Sequence, residues 1–261
     1  MKATKNIGAS VRQKLLNRAK SDNRPFAELL QYFAMERFLY RLSQSDYSGH
    51  FILKGALMLR VWEPPQSSTT IDRPTMDIDM LARTSNDESN ITAQVRDILS
   101  VEVEPDGVIF NADSIQSERI KEDAEYHGVR IRFWGNLDTA KINMQIDIGF
   151  NDIVHPEPEE CDLPTILHFS PPRLLCYSRE SAIAEKLEAM VKLGVLNSRM
   201  KDFYDIWLLS RQFNFDGNQL ARAIQLTFER RSTPPPREYC SIPNAICRAK
   251  TGAVDGFLSA T

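Results

Sequence analysis

Two aspartates one residue apart, Asp77 and Asp79, are the residues whose type and spacing most directly suggest chemistry. In the run MDIDM, acidic and apolar side chains alternate strictly, which is typical of a β-strand. A strand would place both carboxylates on one face and Met76, Ile78 and Met80 on the other. Because neighbouring like charges repel unless a cation lies between them, the pair favours a divalent metal site and phosphoryl chemistry. The alternation is also typical of a half-exposed edge strand whose charges discourage aggregation.

A third carboxylate, Asp147, lies near the end of a second alternating stretch, MQIDIG. If this strand lies beside the strand of Asp77 and Asp79, the three side chains can form one acidic cluster. Three aspartates on adjacent strands can hold two magnesium ions about 4 Å apart, one to activate an attacking hydroxyl and one to bind a triphosphate. Asp147 taken alone could also be a turn residue or a helix cap.

One further place could bind phosphate. Lys54, Gly55 and Ala56 form a glycine turn between an apolar strand and a predicted helix, where free backbone N–H groups favour an anion. Further along the chain, Lys186 lies in the amphipathic helix AEKLEAM, where it could be an ordinary exposed lysine.

The run RMKDFYDIW concentrates charged and aromatic residues downstream of Lys186. Helical spacing predicts an inward apolar side and a polar surface. We expect Phe203, Ile206 and Trp207 to pack inward, and Lys201, Asp202 and Asp205 to lie on the surface.

Hydrophobic periodicity predicts the elements that position these residues. The predicted helices are two within residues 10–43, with Asn23–Pro25 between them, and others at 55–62, about 90–101, 180–196, 199–212 and 218–230. The predicted strands are 51–53, 76–80, 107–110, 115–119, 128–134 and 141–148. Residues 64–74 read as a loop and residues 151–172 as a proline-rich linker. Because strands and helices are segregated rather than alternating, the fold class is α+β.

The composition narrows the function classes. The 261 residues carry a formal net charge of −3, which gives no sign of a strongly basic nucleic-acid-binding surface. No run is long enough to span a membrane and the N-terminus lacks an apolar signal core, so we expect a soluble, cytoplasmic protein without a membrane partner. Four cysteines and four histidines show no ligand spacing, which argues against a structural zinc site.

Five stretches occur in an order that resembles one protein family. They are LKGALMLR, the run from Arg73 through Thr75 to Asp79, the QIDI strand of Asp147, AEKLEAM and RMKDFYDIW. Over about residues 25–235 the chain resembles the AbiEii/AbiGii-type nucleotidyltransferase toxins, a branch of the DNA polymerase β-like nucleotidyltransferase superfamily.

The resemblance implies an organisation for the chain. The fold would be α+β, with a polymerase β-like nucleotidyltransferase core (a mixed sheet with helices) and a C-terminal helical bundle. The expected parts are an N-terminal helical segment at 1–50, the nucleotidyltransferase core at 51–155, a C-terminal helical domain at 156–236 and an irregular tail at 237–261.

The resemblance also implies roles for individual residues. Asp77, Asp79 and Asp147 would be the ligands of Mg²⁺ or Mn²⁺, and Asp147 would help to deprotonate the acceptor hydroxyl. Lys186 and Asp202 complete the predicted catalytic set. The predicted nucleotide-binding residues are Lys54, Gly55, Ala56, Arg73, Thr75 and Lys186. Ala56 departs from the family pattern, which has a second glycine or a serine there, and so removes a hydroxyl or the freedom to take a positive φ.

The implied activity is transfer of a nucleotide from an NTP substrate to an acceptor with release of pyrophosphate. The resemblance points to RNA as the acceptor, at a tRNA 3′ end, and to growth arrest that a cognate antitoxin reverses. Any basic path for RNA must be local; the candidates are Arg12, Lys14, Arg18, Lys20, Arg222, Arg230 and Arg231. One alternative is a degenerate domain that binds an NTP or the antitoxin without turnover, which Ala56 favours. Another is a nucleotidyl- or phosphotransferase that modifies proteins.

The tail after Pro236 shows neither helical nor strand periodicity. Family members tend to end in a helix close to KQxQWxAFL, and a +1 reading of Lys250–Leu258 would give a similar string for suitable codons. We hypothesise a frameshift near Pro236, against the alternative of an ordinary irregular terminus. Sequencing the locus tests this, because a gene without such a helix in another frame would exclude the frameshift.

Overall fold

The structure is a computed structural model that describes residues 6–62, 74–121 and 127–235. Its chain divides into two compact units, Met1–Asn151 with Glu160–Cys176 and Asp152–Glu159 with Tyr177–Thr261. Arg73 and the predicted tail at 237–261 lie outside the described residues. The predicted domain boundaries stay a prediction.

In the described part of the chain, the first unit is built on a mixed sheet of seven strands. The strands are β1 (Phe51–Lys54), β2 (Ile78–Ala82), β3 (Val108–Lys121), β4 (His127–Leu137), β5 (Ala140–Phe150), β6 (Glu159–Asp162) and β7 (Arg173–Cys176). Their order in the sheet is β3-β4-β5-β2-β1-β7-β6. Strand β2 pairs with β5 and β1 pairs with β7 in parallel, whereas the pairs β1–β2, β3–β4 and β4–β5 are antiparallel. The mixed sheet with helices that the sequence predicted is confirmed.

Four helices accompany the sheet in this unit. They are α1 (Ile7–Ser21), α2 (Phe26–Ser43), α3 (Met58–Trp62) and α4 (Glu88–Leu99). Helix α2 is buried along most of its length, and Phe38 packs against the rings of Phe110 and Phe133 from the sheet. One face of the sheet therefore lies in the apolar core, which leaves the opposite face for polar side chains.

Several local predictions change at the edges of the sheet. The two strands predicted at 107–110 and 115–119 are one strand, β3, because a register shift between Asn111 and Gln116 interrupts its alternation without ending it. The predicted linker at 151–172 contains β6, and β7 follows it. Each of these outer strands has four residues, which is too short for an alternating pattern to be recognised.

Up to residue 235, where the described residues end, the second unit contains three α-helices, α5 (Arg179–Leu193), α6 (Met200–Gln212) and α7 (Gly217–Arg230), close to the predicted spans. The N-cap side chains accept backbone hydrogen bonds, Ser178 from Ser181 and Asp216 from Asn218 and Gln219. Helix α5 packs against both α6 and α7. Whether these helices form the predicted bundle stays a prediction.

Among the described residues, none of the helices has the length and apolar character required to cross a bilayer.

Candidate active site

The centre of the sheet brings the three predicted aspartates together. Strand β2 is the fourth of seven, so the interpretation of Asp77 and Asp79 as an exposed edge is wrong. Asp79 lies directly beside Asp147 in the parallel pairing of β2 with β5. One carboxylate oxygen from each of Asp77, Asp79 and Asp147 lies within 4.8 Å of the other two, and all three residues are half-buried. We call these three residues the acidic cluster.

The alternation of strand β2 points Asp79 away from the core. Its neighbours Ile78 and Met80 are buried on the opposite face, as predicted. Met76 was expected to join them but is 58% exposed, so that prediction is wrong. The reason is that the strand begins at Ile78, and the chain before it follows no strand period.

Helix α2 fixes the loop that carries Asp77. The Gln31 side chain donates a hydrogen bond to the carbonyl of Met76 at 3.1 Å, and the Thr75 amide donates to the Tyr32 hydroxyl at 3.1 Å. The Thr75 hydroxyl then donates to Asp77 Oδ1 at 2.6 Å. Thr75, predicted to lie near the nucleotide, therefore orients one carboxylate of the acidic cluster directly.

Gly55 lies against the carboxylate of Asp79. Its φ of +73° is in the left-handed region, and a Cβ built on it would lie 2.0 Å from Asp79 Oδ2. Lys54 is the cross-strand partner of Asp79. The helix predicted at 55–62 is in part a 3₁₀ turn, Gly55–Leu57, followed by five residues of α-helix, and the half-buried Ala56 lies in that turn. The glycine is thus required for close approach of backbone and carboxylate.

Arg130, which the sequence did not predict as a site residue, holds Asp147. Its guanidinium donates two hydrogen bonds to the carboxylate, from Nε at 2.7 Å and from Nη2 at 2.8 Å. These hydrogen bonds raise the pKa of Arg130, so the guanidinium stays charged. Arg130 is the cross-strand partner of Asp147, and only the register of β4 and β5 could have identified it.

The residues present fit a divalent cation. Carboxylate oxygens are the ligands that Mg²⁺ and Mn²⁺ prefer, and three of them converge here. The hydrogen bond from Arg130 Nε leaves Asp147 Oδ1 with a further lone pair for a cation. Asp147 Oδ2 accepts from Arg130 Nη2 and also, at 3.4 Å, from the Gln145 side-chain amide. A side chain at Gly55 would overlap the Asp79 carboxylate, so the turn preserves the space that this ligand needs.

The second unit contains Lys186 and Asp202, the remaining predicted residues, in a cluster of ion pairs. Lys186 Nζ lies 2.9 Å from Asp202 Oδ1 and 2.8 Å from Asp205 Oδ2, and Arg199 Nε lies 2.6 Å from Asp202 Oδ2. We call these four residues the lysine cluster.

The lysine cluster corrects the predicted surface of α6. Asp202 and Asp205 are 4% and 1% exposed and were wrongly placed on the surface, whereas Trp207 is 44% exposed and was wrongly placed inside. Ile206 is buried, as predicted. Because Lys186 supplies the charge that the two carboxylates need, they can be buried. Its predicted role at the nucleotide phosphates stays a prediction.

One of the basic residues proposed for an RNA path is engaged elsewhere. Arg231 lies 3.0 Å from both Asp152 and Glu188 within the second unit. Burial lowers the pKa of Arg231, but the surrounding carboxylates raise it more. The guanidinium therefore stays charged and forms ion pairs inside the second unit.

Three carboxylates converging on two central strands of a mixed sheet are a donor set suited to phosphoryl transfer. The profile of one family, described as "Nucleotidyl transferase AbiEii toxin, Type IV TA system", matches residues 37–252. The chain therefore belongs to the AbiEii nucleotidyl transferase toxin family and is a nucleotidyltransferase. The resemblance that its five motifs indicated is confirmed.

Other comparisons are more distant. JHP933 from Helicobacter pylori is 16% identical with a TM-score of 0.44, over 72% of this chain and 68% of that one. A candidate nucleotidyltransferase from H. pylori is 17% identical with a TM-score of 0.45, over 75% of this chain and 74% of that one. Likenesses at this level carry no argument about function. No curated protein matches the sequence.

Proposed function

We propose that this nucleotidyltransferase is metal-dependent and transfers a nucleotide from an NTP to an RNA 3′ end. The observation that supports this most is the convergence of Asp77, Asp79 and Asp147 within 4.8 Å. Such a cluster has a clear use in a reaction whose reactants carry a triphosphate and require divalent cations.

Asp77, Asp79 and Asp147 are the residues that would hold Mg²⁺ or Mn²⁺. When bound, the cations would polarise the acceptor hydroxyl and neutralise charge on the triphosphate. In the transfer, the acceptor oxygen forms a bond to the α-phosphorus while the bond from that phosphorus to the bridging oxygen breaks, and pyrophosphate leaves.

The side chains of the cluster have distinct tasks in this reaction. Asp147 accepts the proton of the acceptor hydroxyl, and Arg130 keeps its carboxylate in place. Thr75 orients Asp77, and Gly55 gives Asp79 its position against the backbone. The nucleotide would lie beside the turn of Lys54, Gly55 and Ala56, next to Asp79 in the pairing of β1 with β2.

RNA as the acceptor rests on the family resemblance, as does the consequence for the cell. In this proposal the protein acts in the cytoplasm as a toxin, modifying tRNA 3′ ends, and a cognate antitoxin relieves the growth arrest. Arg73 would contribute to nucleotide binding.

The test combines metal binding with transfer. Wild-type protein and Asp79→Asn are incubated with labelled NTPs, Mg²⁺ or Mn²⁺, total tRNA and protein extract, and their melting temperatures are measured with and without Mn²⁺. We expect label on RNA and a Mn²⁺-dependent rise in Tm, both lost in Asp79→Asn. Asp113→Asn, at an exposed position on β3, is the matched control and should behave as wild type.

The other outcomes identify the alternatives. Label on protein instead of RNA would indicate a protein-modifying transferase. NTP binding with no labelled product would indicate a binding domain, and transfer that persists in EDTA would exclude metal dependence.

A further inference from the structure

The face of the sheet that carries Asp147 continues away from it as a row of polar and aromatic side chains. In the pairing of β4 with β5, Arg130 lies opposite Asp147, Arg132 opposite Gln145, and Trp134 opposite Asn143. Cross-strand partners share a face, so all of them lie on the same face as the carboxylate. We call the part beyond Asp147 the polar strip; it consists of Arg132, Trp134, Lys141, Asn143 and Gln145.

The polar strip faces away from the core. The alternate residues of the same strands, among them Ile131, Phe133 and Ile146, are buried. Arg132 keeps 46% of its side chain exposed, Lys141 and Asn143 are exposed, and Trp134 is half-buried. A tryptophan and two side-chain amides lie on this surface, although charged side chains alone would keep it soluble.

The side chains of the strip are those that bind single-stranded nucleic acid. Such sites combine an aromatic ring on which a base stacks with cations and hydrogen-bonding groups along the backbone. Lys141 Nζ lies 4.6 Å from the centroid of the Trp134 ring, so a cation and an aromatic face occur together. The Arg132 guanidinium is bound by Gln145 at 3.1 Å and by Glu118 at 2.8 Å, which fixes its position.

The spacing of the strip suits a strand that ends at the acidic cluster. Successive side chains on one face of a strand are about 7 Å apart, so the Trp134–Asn143 pair lies about 14 Å from Asp147. A terminal hydroxyl at Asp147 would leave the preceding nucleotides over Gln145, Asn143 and Trp134.

We propose that the polar strip binds the single-stranded 3′-terminal nucleotides of the RNA acceptor, with one base stacked on Trp134. The inference rests on the proposed function for the identity of the acceptor and adds where that acceptor lies. Single-stranded RNA offers the free base face that stacking needs, whereas a duplex does not. Because Glu118 offsets the charge of Arg132, the affinity should depend only weakly on salt.

The first test is binding, which needs no turnover. The probe is a fluorescently labelled oligoribonucleotide of about eight nucleotides with a free 3′ hydroxyl, within the range that one single-strand-binding domain covers. It is measured by anisotropy, alone and annealed to its complement. We expect wild-type protein to bind the single strand more tightly than the duplex. Trp134→Leu should weaken binding about 5- to 100-fold, and Trp134→Phe, which keeps a ring, should restore most of it.

The second test is kinetic and separates this inference from the proposed function. With RNA varied at saturating NTP, Trp134→Leu and Lys141→Gln should raise KM for RNA, as expected of lost acceptor contacts. With the NTP varied at saturating RNA, KM for the NTP should change less than about twofold. Trp207→Leu on α6 and Arg173→Gln on β7 replace an exposed tryptophan and an exposed arginine elsewhere and should leave KM for RNA unchanged. Circular dichroism and Tm verify that each variant is folded.

The two tests distinguish failure of the proposed function from failure of RNA binding by the polar strip. If wild-type protein transfers no label to RNA, the proposed function fails, and the binding measurement still judges the strip. If the oligonucleotide does not bind, or binds folded Trp134→Leu as tightly as wild type, the strip is not its site. Equal binding of the duplex would also overturn the proposal.

Discussion

The acidic cluster of the first unit and the lysine cluster of the second both gather aspartates, but they balance the charge differently. In the lysine cluster, Lys186 lies between the two carboxylates at 2.9 and 2.8 Å, and both aspartates are buried. In the acidic cluster, the oxygens of three half-buried carboxylates lie within 4.8 Å of one another. Arg130 binds one of them from the neighbouring strand.

The two clusters differ in the source of the positive charge that balances their carboxylates. Aspartates that are paired and buried lose their hydration once, on folding, and the ammonium compensates for that loss. Half-buried aspartates that face one another repel, and a divalent cation from solution relieves that repulsion. The lysine cluster therefore contains its own counter-charge, while the acidic cluster is suited to bind a cation from solution.

The largest expected effect is on activity, in the acidic cluster. Asp79→Asn removes a charge at the point where β2 and β5 meet, so the cluster loses a ligand for the cation. Loss of a residue that only supports a metal ligand lowers activity by up to about 100-fold. Because Asp79 would be a ligand itself, we expect the rate of nucleotidyl transfer to fall further than that. Because the change also removes like-charge repulsion from Asp77 and Asp147, the free energy of unfolding without metal should not fall markedly.

Chemical denaturation in EDTA, alongside the transfer assay, measures both parts. A marked loss of stability in Asp79→Asn would contradict the comparison, since it would mean that this cluster also holds its unit together.

The next effect is on stability, in the lysine cluster. Lys186→Met leaves Asp202 and Asp205 buried without their ammonium partner. Breaking a buried pair from one side costs about 3–5 kcal/mol in free energy of unfolding, and Lys186 should approach the lower value because it keeps some exposure. Urea denaturation is the measurement.

Lys201→Met, at an exposed position on the same α6 helix, is the matched control and should change stability by no more than about 0.5 kcal/mol. If the two variants were equally stable, Lys186 would not be the internal counter-charge. A stable Lys186→Met that has lost transfer would instead support its predicted role at the nucleotide.

The parts of the fold that could be predicted are those with long, regular periods. Strands β4 and β5 alternate over many residues, and helix α2 carries apolar residues at helical spacing, so each was found close to its true place. The four-residue strands β6 and β7 were missed, because their stability comes from pairing at the side of an existing sheet, which the local sequence does not record.

The residues of the two clusters also differ in whether the local sequence could predict them. Asp77, Asp79 and Asp147 could be predicted from the alternation of acidic and apolar residues in the sequence, although Asp77 lies just before β2. Arg130 could not, because its contact with Asp147 depends on the register between two strands. Asp205 was placed on the surface because an aspartate is usually exposed, and its burial depends on a lysine from another helix.

A smaller effect is expected from the backbone beside the acidic cluster. Gly55→Ala introduces a Cβ where Asp79 Oδ2 lies and a left-handed φ that alanine adopts poorly. We expect a loss of about 1–2 kcal/mol in free energy of unfolding, together with weaker Mn²⁺ binding as the carboxylate is displaced. Gly49→Ala is the control, because a Cβ there meets nothing within 4 Å. Equal Mn²⁺ affinity in the two variants would show that Gly55 does not set the position of Asp79.

A further effect on activity is expected from Arg130, which links the acidic cluster to β4. Arg130→Gln removes the two charged hydrogen bonds to Asp147 and leaves the three carboxylates in place. We expect kcat to fall about 10- to 100-fold, as for an outer-shell partner, with KM for the NTP little changed. Arg173→Gln on β7 replaces an exposed arginine that is paired with Glu160 and should leave kcat unchanged.

Whether Arg130→Gln weakens or strengthens Mn²⁺ binding shows how Arg130 acts. If it positions Asp147, Arg130→Gln binds Mn²⁺ more weakly, because the carboxylate is free to rotate. If it competes with the cation for the carboxylate, the variant binds Mn²⁺ more tightly and Arg130 would resemble Lys186, an internal counter-charge. Isothermal titration with Mn²⁺ separates the two, and tighter binding would remove the distinction between the clusters that the geometry supports.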